Sequence, residues 1–182
     1  MEIIYSLNGY SREKELYLAL GNFDGIHRGH QAVIRSAVSR ARSGCGAAGA
    51  LLFDPHPSVL LHPERPFCLL TGMEERSALM AELGLDYLFV EQFTAETASM
   101  SPEEFIRGIL LHKFKISGVS IGDDYSFGRG GSGREDLMQD YGKNLGFTVT
   151  VSPMEKAAGI VISSSAIKKL LAEGAVERAA LL

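Results

Sequence analysis

The stretch that decides the fold is Leu16-Tyr17-Leu18-Ala19-Leu20-Gly21-Asn22-Phe23-Asp24-Gly25-Ile26-His27-Arg28-Gly29-His30. Five apolar residues ending in glycine predict a short buried strand. From about Gly29 to Arg42, apolar side chains recur at Val33, Ile34, Ala37, Val38 and Ala41, a helical period. Between strand and helix lies a loop rich in glycine and carrying two histidines. Gly21, Gly25 and Gly29 let backbone approach a ligand closely. A helix start offers unpaired amides and the positive end of the dipole. His27 and His30, three apart, fall on one face of a helix. Imidazoles there can donate to phosphate oxygens and stabilise charge growing at a reacting phosphorus, with Asn22 adding a neutral donor. The loop therefore predicts a triphosphate site. The competing reading is a surface histidine pair beside a glycine turn. A zinc site is weaker, because no third ligand stands at metal spacing.

Outward from this unit the pattern repeats. Gly49 to Phe53, Tyr87 to Val90, Gly118 to Gly122 and Phe147 to Val151 read as further strands. Helices are predicted from a Thr71/Glu74 capping box to about Leu83, from a cap at Ser101, over 134–145, and from Ser163 or Ser164 to Leu171. A short last helix is predicted after Gly174. Alternating strands and helices predict an α/β, doubly wound (Rossmann-like) parallel sheet with helices on both faces. Ligands in such folds bind beyond the carboxyl ends of the strands. The loops at 21–30, 54–60 and 122–133 all fall at those ends, which predicts one shared site.

The bulk properties bound the function. A chain of 182 residues with 46% hydrophobic and 22% charged residues builds a sizeable core, and we expect one domain over residues 1–182. A net charge of −4 argues against a nucleic-acid coat, which needs excess Lys and Arg. No stretch reaches membrane-span length, and Met1 to Tyr5 lacks the basic and apolar runs of a signal peptide. Two cysteines, Cys45 and Cys68, read as reduced thiols. A cytoplasmic protein acting on small molecules, without nucleic acid or membrane as partner, is expected.

Three more segments carry chemistry. Phe53-Asp54-Pro55-His56-Pro57 is a proline-stiffened loop that suits the wall of an aromatic ring, or else an ordinary proline turn. Gly122-Asp123-Asp124-Tyr125-Ser126-Phe127-Gly128-Arg129 combines acids, aromatics and an arginine; its bland alternative is a solvated loop whose aromatics, Phe127 in particular, turn into the core. Ser163-Ser164-Ser165 opens a helix with Lys168 one turn in, a second phosphate cradle or simply a well-capped helix.

The string from Gly21 to His30 resembles the H-x-G-H motif of the nucleotidyl transferase superfamily, in the version found in the FMN adenylyltransferase module of prokaryotic bifunctional riboflavin kinase/FAD synthetases. The segment at 53–57 is similar to that family's F-x-P-H-P motif, 122–128 to its G-x-D/N-F-x-F-G, and 162–168 to the superfamily's I-S-S-S/T-x-I-R. Lys168 stands where the family usually has arginine, keeping the charge but losing the bidentate fork. The resemblance implies transfer of AMP from ATP to FMN, giving FAD and pyrophosphate, with Mg2+ carried by the ATP. It implies catalytic roles for His27, His30 and Asn22. It places Gly21, Phe23, Asp24, Gly25, Gly29, Gly122, Asp124, Ser163, Ser164, Ser165 and Lys168 around ATP. Phe53, Pro55, His56, Pro57, Tyr125, Phe127, Gly128 and Arg129 would surround the flavin, and no residue set is assigned to a protein-held metal. In bifunctional members a riboflavin kinase barrel follows at about the position where this chain ends, so a longer parent chain is one expectation. Two alternatives remain at this level: a sibling transferase with another phosphate acceptor, and a non-catalytic flavin- or nucleotide-binding module.

Overall fold

The computed structural model describes residues 1–5, 14–157 and 159–182. A six-stranded parallel sheet forms its centre, built from β1 (Glu2–Ile4), β2 (Leu16–Leu20), β3 (Ala47–Asp54), β4 (Tyr87–Gln92), β5 (Gly118–Gly122) and β6 (Thr148–Ser152). Alternate side chains of these strands enter opposite layers, as the pleat requires. Leu16, Leu18, Leu20 and Leu51 join Phe105, Ile106, Leu110, Phe114 and Met138 on one face. Ala19, Ala48, Ala50 and Leu52 join Ile34, Ala37, Ala41 and Met80 on the other. Both faces are thus buried, and the near-continuous apolar runs of the inner strands follow from that.

In chain order the helices are α1 (Arg28–Ser43), α2 (Pro57–Leu61), α3 (Met73–Glu82), α4 (Ala95–Ser99), α5 (Pro102–Glu104), α6 (Glu135–Leu145), α7 (Ser164–Ala172) and α8 (Val176–Ala179). Helix α5 is capped reciprocally by Ser101 and Glu104, and it runs on with π-type bonding over Phe105–Lys113. This long helix and α6 cover the first face of the sheet. Helices α1 and α3 cover the second. The predicted capping box at Thr71 and Glu74 is not formed. Helix α3 instead has Gly72 as its cap, with no side-chain cap bond. The Thr71 hydroxyl accepts the Gly25 N–H at 3.0 Å, a tertiary partner that outcompetes the local one. The structure also adds elements too short to show a period: β1, α2, α4 and a small hairpin of β7 (Lys156–Ala157) and β8 (Ile160–Val161). The hairpin leads into α7 and α8, where Ile162, Leu170, Ala179 and Leu182 form a separate small cluster.

The strand order is β1-β4-β3-β2-β5-β6. From β2 the chain winds outward through β3 to β4, then returns to place β5 on the other side of β2. The order therefore reverses between β2 and β5, and a crevice opens there at the carboxyl ends of the strands. The loops after β2 and β5 flank it.

Candidate nucleotide site

The loop after β2 is held in shape from below. Phe23 and Ile26 are buried, at 1% and 4% exposure, while their backbones adopt positive φ of 51° and 41°. Left-handed backbone is uncommon for such side chains, so core burial fixes a path the chain would not choose locally. Gly25, at φ 87°, has no room for a Cβ, which would stand 2.7 Å from the Leu70 side chain.

Asp24 is the hub. It is 1% exposed, and its Oδ1 accepts the Leu70 N–H at 2.7 Å and the Thr71 N–H at 3.4 Å. Its Oδ2 pairs with Lys168 Nζ at 2.6 Å, and its backbone carbonyl accepts the Ser164 hydroxyl at 2.8 Å. Burial alone would raise the Asp24 pKa. The hydrogen bond from Lys168, the two amides and the lysine charge outweigh it and hold the carboxyl below its ordinary value. The loop after β2 and the start of α7, 140 residues apart in sequence, are thus tied at one buried residue.

His27 caps α1, its Nδ1 accepting the His30 N–H at 3.3 Å. The two imidazoles stack with centroids 3.6 Å apart and planes at 18°. Phe23 meets His30 edge-on at 5.4 Å. Desolvation by this packing, then the nearby His27 and Arg76, push the His30 pKa down to about 3 against a smaller upward pull from Asp24. Burial also lowers His27, partly offset by Asp124 and Asp24. The buried Nδ1 of His30 has no hydrogen-bond partner.

Across the cleft, His56 caps α2 by accepting the Ser58 N–H at 3.2 Å, and its ring stacks on Phe67 at 4.4 Å. Burial lowers its pKa, offset in part by Asp24. The Lys168 ammonium lies 4.7 Å from the Phe67 centroid. On the side of β5, Tyr125 stacks with Phe127 at 5.9 Å, and burial raises the Tyr125 phenol. The loop after β6 is fastened to that of β5, since Asp123 Oδ2 accepts the Met154 N–H at 2.9 Å.

These parts enclose one cleft of about 790 Å³. It brings together Gly21, Asn22, Phe23, Asp24, His27, Gly29 and His30 with Phe53, His56 and Pro57. Gly122, Asp124, Tyr125, Phe127, Gly128, Ser163, Ser164, Ser165 and Lys168 also line it. Gly25, Pro55 and Arg129 do not. Gly25 turns its amide to Thr71, while Pro55 and Arg129 are exposed, the latter fixed through its backbone N–H to the Met100 carbonyl at 2.6 Å. Phe127 is 6% exposed and belongs mainly to the core, against Phe105. Ser163 is occupied as the α7 cap and Ser164 by the Asp24 carbonyl, leaving Ser165 as the exposed hydroxyl of the three.

Sequence reasoning missed Phe67 and Arg76. Phe67 sits in a loop with no period to mark it. Arg76 had a signal: it lies four residues before Met80, on the buried stripe of α3. A cation on an apolar stripe requires polar partners from elsewhere in the fold, because a guanidinium is almost never fully buried unpaired.

Geometry and topology define an α/β protein of the doubly wound type with one cleft at the carboxyl ends of its strands. The FAD synthetase family model matches residues 10–166, and the chain belongs to that family. A bifunctional riboflavin kinase/FMN adenylyltransferase of Listeria monocytogenes is 37% identical over 89% of this chain and 51% of its own length. The protein of the same description from Escherichia coli is 30% identical over 95% of this chain and 56% of its own. The chain thus spans about half the length of the curated relatives it matches. A solved structure described as a macrolide-efflux protein from Streptococcus pneumoniae superimposes with a TM-score of 0.86 at 25% identity, over 98% of this chain and 60% of its own. No helix among the described residues is long and apolar enough to cross a membrane.

Proposed function

We propose that this chain is an FMN adenylyltransferase, moving AMP from ATP to FMN to give FAD and pyrophosphate. The observation that carries the reading is the unpartnered, buried Nδ1 of His30 in a cleft that also gathers the three other segments. A buried polar nitrogen without a partner costs about 1–3 kcal/mol. A phosphate oxygen supplies that partner. A phosphate oxygen of FMN attacks the α-phosphorus of ATP; the new P–O bond forms as the bond to the β-phosphate oxygen breaks, and pyrophosphate leaves. His30, His27 and Asn22 stabilise the charge that spreads over the α-phosphoryl oxygens. Lys168 and Ser165 face the β- and γ-phosphates, with Ser163 and Ser164 shaping that cradle. Gly122 and Asp124 serve the nucleoside. Phe53, His56, Pro57, Tyr125 and Phe127 wall the flavin. The chain's own contribution is alignment and fixed electrostatics, as expected for transfer at phosphorus.

Magnesium belongs to the ATP in this scheme. Among the described residues, no group of three or more His, Cys, Asp or Glu is arranged to hold an ion. Phosphate oxygens and water suit Mg2+ as ligands, and the bound ion would neutralise triphosphate charge.

The test is direct. Purified protein with FMN, ATP and Mg2+ should form FAD and pyrophosphate, and His30→Ala should lower that rate by about 10²–10³-fold with the fold intact. Near-normal turnover in a folded His30→Ala variant sinks the assignment. FMN and ATP binding without product supports a non-catalytic module, and turnover with a different phosphate acceptor supports a sibling transferase.

A further inference from the structure

The loop that carries Asn22 and leads to the histidines rests on the segment 70–76, and that contact holds more than packing. Leu70 and Thr71 donate their amides to Asp24. The Thr71 hydroxyl accepts the Gly25 N–H. Arg76 reaches under the loop from α3: one Nη donates to the Asn22 carbonyl at 3.3 Å, and the other donates to the Thr71 carbonyl at 3.0 Å. One planar guanidinium therefore spans both sides of this contact. Arg76 is 3% exposed, and its Nε is buried without a partner. Burial lowers its pKa, against the pull of Asp24 and Asp54. A side chain held only for stability at such a place would be apolar, since burying a guanidinium on two carbonyls costs more than packing a methionine. The cation also acts on His30, where it opposes protonation.

The geometry points to Arg76 as a positioning residue for the transfer, acting through the loop Asn22–Gly25. It touches no substrate. It fixes where Asn22 presents its side chain and keeps the histidine pair at the right place behind the α-phosphorus. A fork serves both carbonyls at once, whereas lysine offers a single nitrogen to two acceptors in different directions.

This inference rests on the transferase reading for its kinetic arm only. Arg76→Met, Arg76→Lys and Thr71→Val are compared with the parent chain, using FMN, ATP and Mg2+. For Arg76→Met, kcat should fall about tenfold or more while the KM for FMN stays within about twofold, since misplaced catalytic groups lose rate rather than acceptor binding. Arg76→Lys should recover part of the loss. Thr71→Val, which removes only the acceptor for Gly25, should lower kcat about threefold at unchanged KM for FMN. By NMR at neutral pH, the Asn22 and Gly25 amide signals of Arg76→Met should move while those around Met80 on α3 stay, whereas general loosening of α3 would move both. If Arg76→Met fails to fold, Arg76→Lys and Thr71→Val decide: unchanged kcat in both overturns the proposal. A parent chain that makes no FAD overturns the transferase reading instead, and the clamp is then judged by the Asn22 and Gly25 amide signals, which overturn it if unmoved.

Discussion

Acid should destabilise this protein through His30. Its imidazole titrates at an ordinary pH of 6.5 when the chain is unfolded and at about 3 when folded, because burial and the neighbouring His27 and Arg76 disfavour the charged form. The unfolded state therefore binds more protons between those two values, and stability falls as pH falls through that window. At pH 5 the unfolded imidazole is almost fully protonated and the folded one almost fully neutral. The difference is RT ln[(1 + 10^1.5)/(1 + 10^−2)], about 2 kcal/mol, against about 0.2 kcal/mol at pH 7. His27 and His56 are lowered by burial too and add in the same direction. Asp24 runs the opposite way in cause but loses stability only further down, as pH drops through its depressed folded value. His30→Gln isolates the contribution, since glutamine has a similar reach and does not titrate. Urea unfolding at pH 7 and pH 5 should show the parent losing about 2 kcal/mol more than His30→Gln. Equal losses in the two proteins would refute the claim that His30 is held neutral by its surroundings. ATP with Mg2+ added at pH 5 should shrink the gap, because phosphate oxygens favour the protonated imidazole.

Asp24→Asn should destabilise the fold by about 2–4 kcal/mol in urea titrations, because it leaves the partly buried Lys168 ammonium facing an amide while the Leu70 and Thr71 bonds survive. A loss below about 0.5 kcal/mol would mean that solvent already screens the pair. Ser164→Ala removes the hydroxyl that joins α7 to the Asp24 carbonyl. Its melting temperature should drop by about 2–4 °C, corresponding to one hydrogen bond of about 1 kcal/mol, and scanning calorimetry reads this directly.

Most of the fold was legible because its signals are local. The strand at Leu16–Leu20 and the helix behind it announce themselves by period, and so do the later units. The sheet order was legible only as a class, since nothing in β1, three residues long, says that it pairs with β4. Thr71 shows the limit of local reasoning. Its spacing to Glu74 is that of a capping box, yet its hydroxyl answers Gly25, 46 residues away. The same long-range pairing hid Asp24, whose sequence context suggests a turn former and whose burial makes it the join between two ends of the chain. At the cleft, residues of the four motif segments line one cavity. The serines were legible as a set but not in their division of labour, because which hydroxyl caps, which bonds the loop and which stays exposed depends on how α7 lies against residue 24.

The charge arrangement explains why a lysine suits position 168. A buried carboxylate at Asp24 is costly unless it is paired, and it is needed to hold the loop to Leu70 and Thr71. Its partner must therefore be a cation, and under the proposed transfer that cation also meets a triphosphate. An ammonium carries three donors pointing apart. One serves Asp24 at 2.6 Å, and the side chain keeps 28% of its surface exposed at the cleft, which under the proposed transfer leaves the remaining donors open to a phosphate. Phe67 adds a wall that keeps the ammonium over the cleft at 4.7 Å from its ring. Lys168 matches the acid that builds the loop, while Asp123, Asp124 and Glu155 add negative charge to the cleft lining. Under the proposed transfer, the positive potential that a triphosphate meets would come from Lys168 and the α1 N-terminus, with Arg76 behind the loop.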